Sequence, residues 1–252
     1  MKKLLLQKLE RIQQERNIKI LYAAESGSRA WGFASPNSDW DVRFIYTHPK
    51  EEYLSIKQPE EGINLGVDEN ELDMVGWELR KTLRLLSSSN ASPFEWLQSP
   101  MLYHNEDGFK EKIWQLAPAY FKPRAMAFHY LGLTKSSLHK GLVNDKMDIK
   151  KYFYILRPLL ASIWICDKQT IPPMEFGLLL PQIANQTALY EAIQRLTEEK
   201  IAAQEGDFTT PVPIIQTFIH QYLEEYQQKA KLLPSENQDI APLDDFFRSQ
   251  LS

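Results

Sequence analysis

The sequence predicts an α+β fold: a strand-bearing half over residues 1–105, followed by a helical half over 106–252. Two observations carry this. Short apolar, β-branched runs bounded by turn residues fall only in the first part of the chain. From about Glu106 onward the apolar positions recur almost wholly at helical spacing. Strands first and helices after are the order expected of an α+β domain with a helical one behind it. A chain of 252 residues, 43% hydrophobic and 25% charged, has the composition of an ordinary soluble protein of one large or two modest domains.

Residues 2–16 place Leu5, Leu6, Leu9 and Ile12 on one helical face. Ile18 to Ala24 reads as a buried strand that runs into Glu25-Ser26-Gly27-Ser28, so a Gly-Ser turn follows its C-terminal end. Ser28 is expected to cap the short helix after it. Ser35-Pro36-Asn37-Ser38 is a turn by composition, and Asp41 to Tyr46 is the second strand. Leu72 to Val75 is a third, with Asp73 facing away from Leu72 and Met74. Trp77 to Leu86 returns to helical periodicity through Leu79, Leu83 and Leu86, and Pro93 and Pro100 bracket a short helix around Phe94 to Leu97. Further helices are expected over 106–118, 123–140, 148–167, 185–202, 213–232 and 242–250. Pro158 cannot donate to the carbonyl of Tyr154, so a kink is expected in the 148–167 helix.

No apolar run approaches the ~18 residues of a membrane span. The apolar start Leu4-Leu5-Leu6 is broken at once by Gln7 and Lys8, unlike a signal peptide. The single cysteine, Cys166, excludes an intramolecular disulfide framework. A cytoplasmic location is the simplest expectation. Net charge is −4, yet residues 110–168 hold eleven Lys/Arg against four Asp/Glu. That basic segment suits a polyanionic substrate or simply solvates helix faces.

The most informative stretch runs from Gly27 to Asp41. Asp39 and Asp41 stand at i and i+2, which on a strand aims both carboxylates at one face. Two carboxylates held that close repel unless a cation lies between them. All-oxygen ligation suits magnesium, which takes one or two carboxylates and completes its shell with water and phosphates. Gly27-Ser28 supplies small residues and backbone N–H groups of the kind that cradle anions. The competing reading, a solvated turn, leaves the upstream Gly-Ser without an explanation.

These blocks resemble the DNA polymerase β-like nucleotidyltransferases: Gly-Ser, a short helix, then Asp-x-Asp on the next strand. Glu25 to Gly32, Ser38 to Tyr46, Glu71 to Lys81 and Lys151 to Leu160 resemble one branch in particular, the YcgL-like or RNA-repair-pathway polymerase β family. The resemblance implies a small mixed sheet and a helical domain that completes the nucleotide cleft. It implies Asp39, Asp41 and Asp73 as metal ligands and catalytic carboxylates, with Asp73 also the base toward an attacking hydroxyl. Glu71 competes with Asp73 for that place. Gly27 and Ser28 are the expected triphosphate contacts.

Arg29 and Arg43 are candidates either for phosphate or for structural ion pairs. On the 148–167 helix, Lys150, Tyr154 and Arg157 form a stripe apart from the core stripe. Lys151, Tyr154 and Arg157 are the candidate nucleotide contacts there. Trp31 and Trp40 flank the motif and are candidates to shape the pocket. His129 and His139 have no zinc-like spacing and are expected to be surface or capping residues, not ligands. The resemblance thus implies a magnesium-dependent (or manganese-dependent) transferase. It would move a nucleoside monophosphate from ATP or another nucleoside triphosphate to an acceptor hydroxyl, with an RNA end the first candidate. Transfer to a protein or small-molecule hydroxyl, and nucleotide sensing or partner binding without turnover, remain the alternatives.

Overall fold

Helix α1 (Lys2–Arg16) opens the chain and buries Leu5, Leu9 and Ile12, each worth about 1.5–3 kcal/mol of transfer free energy. In chain order there follow β1 (Lys19–Glu25), α2 (Gly27–Trp31), β2 (Trp40–Thr47), α3 (Lys50–Tyr53), β3 (Gly62–Val67), β4 (Leu72–Glu78), α4 (Leu79–Ser87), α5 (Ala91–Gln98) and β5 (Leu102–Asn105). The rest comprises α6 (Phe109–Leu116), α7 (Pro123–Gly141), β6 (Leu142–Val143), β7 (Lys146–Asp148), α8 (Ile149–Lys168), α9 (Phe176–Leu179), α10 (Thr187–Ala202), β8 (Phe208–Thr209), α11 (Pro213–Lys231) and α12 (Ala241–Gln250). This computed structural model describes residues 1–143, 146–204 and 206–251, the side chains of 140–143 aside. Lys140 and Asp145, counted in the basic segment, therefore lie outside the described side chains. No helix among the described residues is long and apolar enough to cross a membrane.

Five strands form one sheet in the order β3-β4-β2-β1-β5. It is mixed, because β2 and β4 run parallel while the other pairs are antiparallel. Strand alternation then sorts the side chains of β2 and β4 between two cores. Val42, Phe44, Leu72 and Met74 pack with Leu5, Leu9 and Ile12 beneath α1. Ile45 joins a larger core that runs through Leu79, Phe94, Phe153 and Leu156 to Phe246. Asp41, Arg43, Asp73, Val75 and Trp77 share the Ile45 face, and so point toward the helical half.

The strands extend further than sequence periodicity indicates. Trp77 and Glu78 belong to β4, not to the helix after it. The Glu78 side chain accepts the Lys81 N–H and so caps α4, which moves the helix start to Leu79. Pro93 lies inside the first turn of α5 instead of preceding it. A proline is tolerated there because that N–H lacks an intrahelical acceptor anyway. Asn90 caps that helix through its side chain. Helix α2 is capped by Ser26 without a side-chain bond, so Ser28 lies in its first turn and is not the cap. Strands β3 and β5 and the small sheet β6-β7-β8 have no counterpart in the sequence reading. Helix α8 runs from Ile149 to Lys168 with Pro158 inside it.

Candidate active site

The end of β1 fixes the backbone of Asp41 from both sides. Glu25, fully buried, accepts the Asp41 N–H at 2.8 Å and the Tyr103 hydroxyl at 2.6 Å. The Ser26 N–H donates to the Asp41 carbonyl at 2.7 Å. Burial pushes the Glu25 carboxyl up, against these two hydrogen bonds. Gly27 follows at φ +58°, and a Cβ built on it would stand 2.6 Å from Asp41 Cγ and closer still to Oδ2. The Asp41 carboxylate therefore lies in space that only a glycine leaves open. Arg29 sets the other end of the motif. Its guanidinium donates to the carbonyls of Ser38 at 2.6 Å and Asp39 at 3.1 Å, and lies 4.0 Å over the Trp40 ring.

The parallel β2–β4 register sets Asp41 beside Asp73. Between them lies Arg43, whose Nη2 is 2.9 Å from Asp41 Oδ1 and 2.8 Å from Asp73 Oδ2. Burial raises the Asp41 pKa, Arg43 opposes that, and the Asp73 and Asp39 charges add to it. Lys150, at the start of α8, is a further cation acting on Asp41. Glu71 is exposed in the turn before β4, at φ 57°, so Asp73 and not Glu71 is the carboxylate brought to Asp41.

These groups open onto a cleft of about 480 Å³ between the sheet and the helical half. One wall presents Gly27, Asp41 and Arg43, while Trp31, Trp77 and Trp96 add an aromatic surface. The rings of Trp77 and Trp96 lie 4.1 Å apart. From α8, Arg157 donates to Glu95 Oε1 at 2.9 Å and to the Met174 carbonyl at 3.0 Å, with its guanidinium 4.5 Å over Trp31. Its Nη2 is buried with no hydrogen-bond partner among the described residues, as is Trp31 Nε1. A smaller recess adjoins, lined by Ser28, Ser38, Asp39, Asp41, Lys150 and Lys200 among others. Lys200, on α10, is only 4% exposed and donates to Ser35 Oγ at 3.1 Å. Two lysines from the helical half thus share this recess with Asp39 and Asp41.

The sequence profile described as RlaP, RNA repair pathway DNA polymerase beta family, matches residues 1–249. The chain belongs to the RNA repair pathway DNA polymerase beta family. It is 41% identical over 240 residues to YcgL of Bacillus subtilis (strain 168), described as an uncharacterised protein, covering 95% of this chain and 92% of that one. A crystal structure of a nucleotidyltransferase-like protein from Exiguobacterium sibiricum 255-15 aligns over 89% of this chain and 74% of that one, at 12% identity and a TM-score of 0.35.

Of the residues proposed from sequence in this member of the polymerase β family, Gly27, Ser28, Asp39, Asp41, Arg43, Tyr154 and Arg157 line the cleft or its recess. Asp73 joins them through Arg43. Arg29 is committed to backbone carbonyls. Lys151 lines neither space, and its amide N–H instead donates to the Asp148 cap. Lys150 is in the recess, as its position at i, i+4 and i+7 with Tyr154 and Arg157 allows. His129, expected as a surface or capping residue, is in the cleft wall, where burial lowers its pKa and Glu95 raises it. Glu25 opens the motif block, but the sequence alone gives it no role. Lys200 carries no local signal, because a lysine near the end of an amphipathic helix reads as solvated.

Proposed function

We propose that this chain is a magnesium-dependent nucleotidyltransferase that moves a nucleoside monophosphate from a nucleoside triphosphate, ATP first, to an acceptor hydroxyl. The observation that carries the proposal is the Asp41 carboxylate seated against the Cβ-less Gly27, with Asp73 in register beside it on the parallel strand. The donor set is all oxygen and includes two carboxylates at i and i+2, which fits magnesium or manganese. Asp39 and Asp41 would hold the cation. When bound, it supplies positive charge to the triphosphate.

Ser28, Lys150 and Lys200 line a recess of only about 10 Å³, room for a single oxygen-sized group, so the bulk of the triphosphate would lie in the larger cleft. Tyr154 lines both spaces, and Arg157 contributes its guanidinium to the lining of the cleft. The acceptor oxygen would attack the α-phosphorus in line and form the new P–O bond. The bond to the bridging oxygen breaks, pyrophosphate leaves with that electron pair, and the hydroxyl proton passes to Asp73. The chain contributes alignment and fixed charge.

An RNA end is the acceptor that the family description favours, and the basic 110–168 segment suits a polyanion. The test is incubation with radiolabelled ATP, the other triphosphates, magnesium and acceptors (RNA with free ends, protein, aminoglycoside). Label transferred to RNA, and lost with Asp39→Asn, is the expected result. Transfer to another acceptor alone would move the substrate class. Nucleotide binding without transfer to any acceptor would favour a sensor.

A further inference from the structure

We propose that Arg43 is a built-in counter-ion filling the space between Asp41 and Asp73, so that the site takes one divalent cation, on its Asp39 side, instead of a pair. This rests on the metal site proposed above. A single guanidinium nitrogen contacts both carboxylates, at 2.9 and 2.8 Å. The fork does not reach there loosely. Its Nη1 donates to the carbonyls of Asp73, at 3.0 Å, and of Val42, at 3.2 Å. Backbone on both strands thus holds the planar group in position. All three side chains are mostly buried, at 18% exposure for Arg43 and 23% for each aspartate.

A magnesium ion bridging those carboxylates would need both oxygens at about 2.0–2.1 Å. Two metals sharing a site of this kind stand roughly 3.5–4 Å apart. The guanidinium occupies that volume, so Arg43 in place and a cation bridging Asp41 Oδ1 and Asp73 Oδ2 are mutually exclusive. Among the described residues, no three groups of His, Cys, Asp or Glu converge on a metal position. Charge points the same way: a fixed cation already offsets the repulsion between Asp41 and Asp73. Only Asp39 and the outer side of Asp41 then remain for a metal. Asp73 is then held by the Arg43 guanidinium instead of a metal.

The test counts bound Mn²⁺ per chain by the loss of its free EPR signal, with the protein alone and with a non-hydrolysable ATP analogue at equal concentration. Expected are one Mn²⁺ per wild-type chain, its loss in Asp39→Asn, and a second Mn²⁺ in Arg43→Gln bound at least tenfold more tightly than any second ion on the wild type. Arg43→Lys keeps a charge in place and should stay at one. As a measurement that needs no variant to fold, ¹⁵N NMR of the arginine side chains during a Mg²⁺ titration should leave the Arg43 Nη signals in their slowed, hydrogen-bonded positions. Two Mn²⁺ on the wild type, release of Arg43 by Mg²⁺, or an Arg43→Gln count that stays at one would each overturn the proposal. Zero Mn²⁺ on the wild type would overturn the metal site itself, a result distinct from all three.

Discussion

Replacing Gly27 with alanine tests the packing of the candidate site most directly. Two costs are separable. The backbone at φ +58° is left-handed, which costs an L-residue with a Cβ roughly 1–2 kcal/mol. The new methyl would also lie 2.6 Å from Asp41 Cγ. Asp41 cannot retreat freely, because Glu25 and Ser26 hold its backbone and Arg43 holds its carboxylate. Forcing extra volume into a well-packed place costs roughly 1–3 kcal/mol. Gly27→Ala should therefore lose about 2–5 kcal/mol, out of a typical total of about 5–15.

Gly32→Ala provides the control. Gly32 also has a left-handed backbone, at φ +89°, but among the described residues nothing beyond its own chain neighbours lies within 4 Å of its built Cβ. It should show only the conformational part, roughly 1–2 kcal/mol. Urea denaturation followed by tryptophan fluorescence gives both values. Combining Gly27→Ala with Asp41→Ala removes the contacts with Cγ and Oδ2 and leaves only the Cβ at 3.1 Å, so the double variant should be more stable than additivity predicts, by roughly 0.5–3 kcal/mol. Equal losses at Gly27 and Gly32, or simple additivity with Asp41→Ala, would refute the close approach of Gly27 and Asp41.

Arg157→Ala should lower stability by roughly 3–5 kcal/mol, because it leaves the Glu95 carboxylate without its ion-pair partner in the cleft wall; a variant that melts like the parent but binds ATP analogue weakly would assign Arg157 to the ligand alone. Asp73→Asn should retain nucleotide binding and lose transfer by roughly two to four orders of magnitude, and normal turnover would remove Asp73 from the base role. Burial lowers the His129 pKa below 6.5 in the folded chain, so the unfolded chain takes up that proton first as pH falls. Stability is then present above 6.5 and lost on acidification through the folded pKa. His129→Gln should lose less stability than the wild type between pH 7 and pH 5, and parallel losses in urea midpoints would contradict that environment.

Local periodicity is enough to find the motif, because it depends on neighbours along the chain. Asp39 and Asp41 share a face through strand alternation, α1 follows from the spacing of Leu5, Leu9 and Ile12, and the Gly-Ser turn follows from its composition. The α+β order, strands and then helices, is legible for the same reason. What packs against that motif is decided over long distances. Asp73 stands beside Asp41 only because β2 and β4 pair in parallel with that register, and register is set by which face of each strand enters the core beneath α1. Arg43 reads from sequence as either a phosphate contact or an ion pair; its two carboxylate contacts come from both strands at once. Lys150 rather than Lys151 reaches the recess because the rotation of α8 is set by its buried face, where Tyr152, Phe153, Ile155, Leu156 and Leu159 are fully enclosed. Lys200 arrives from α10, with no local pattern to mark it. A side chain's partners across the core depend on how the apolar faces of separate elements fit together, and that information is spread over the whole chain.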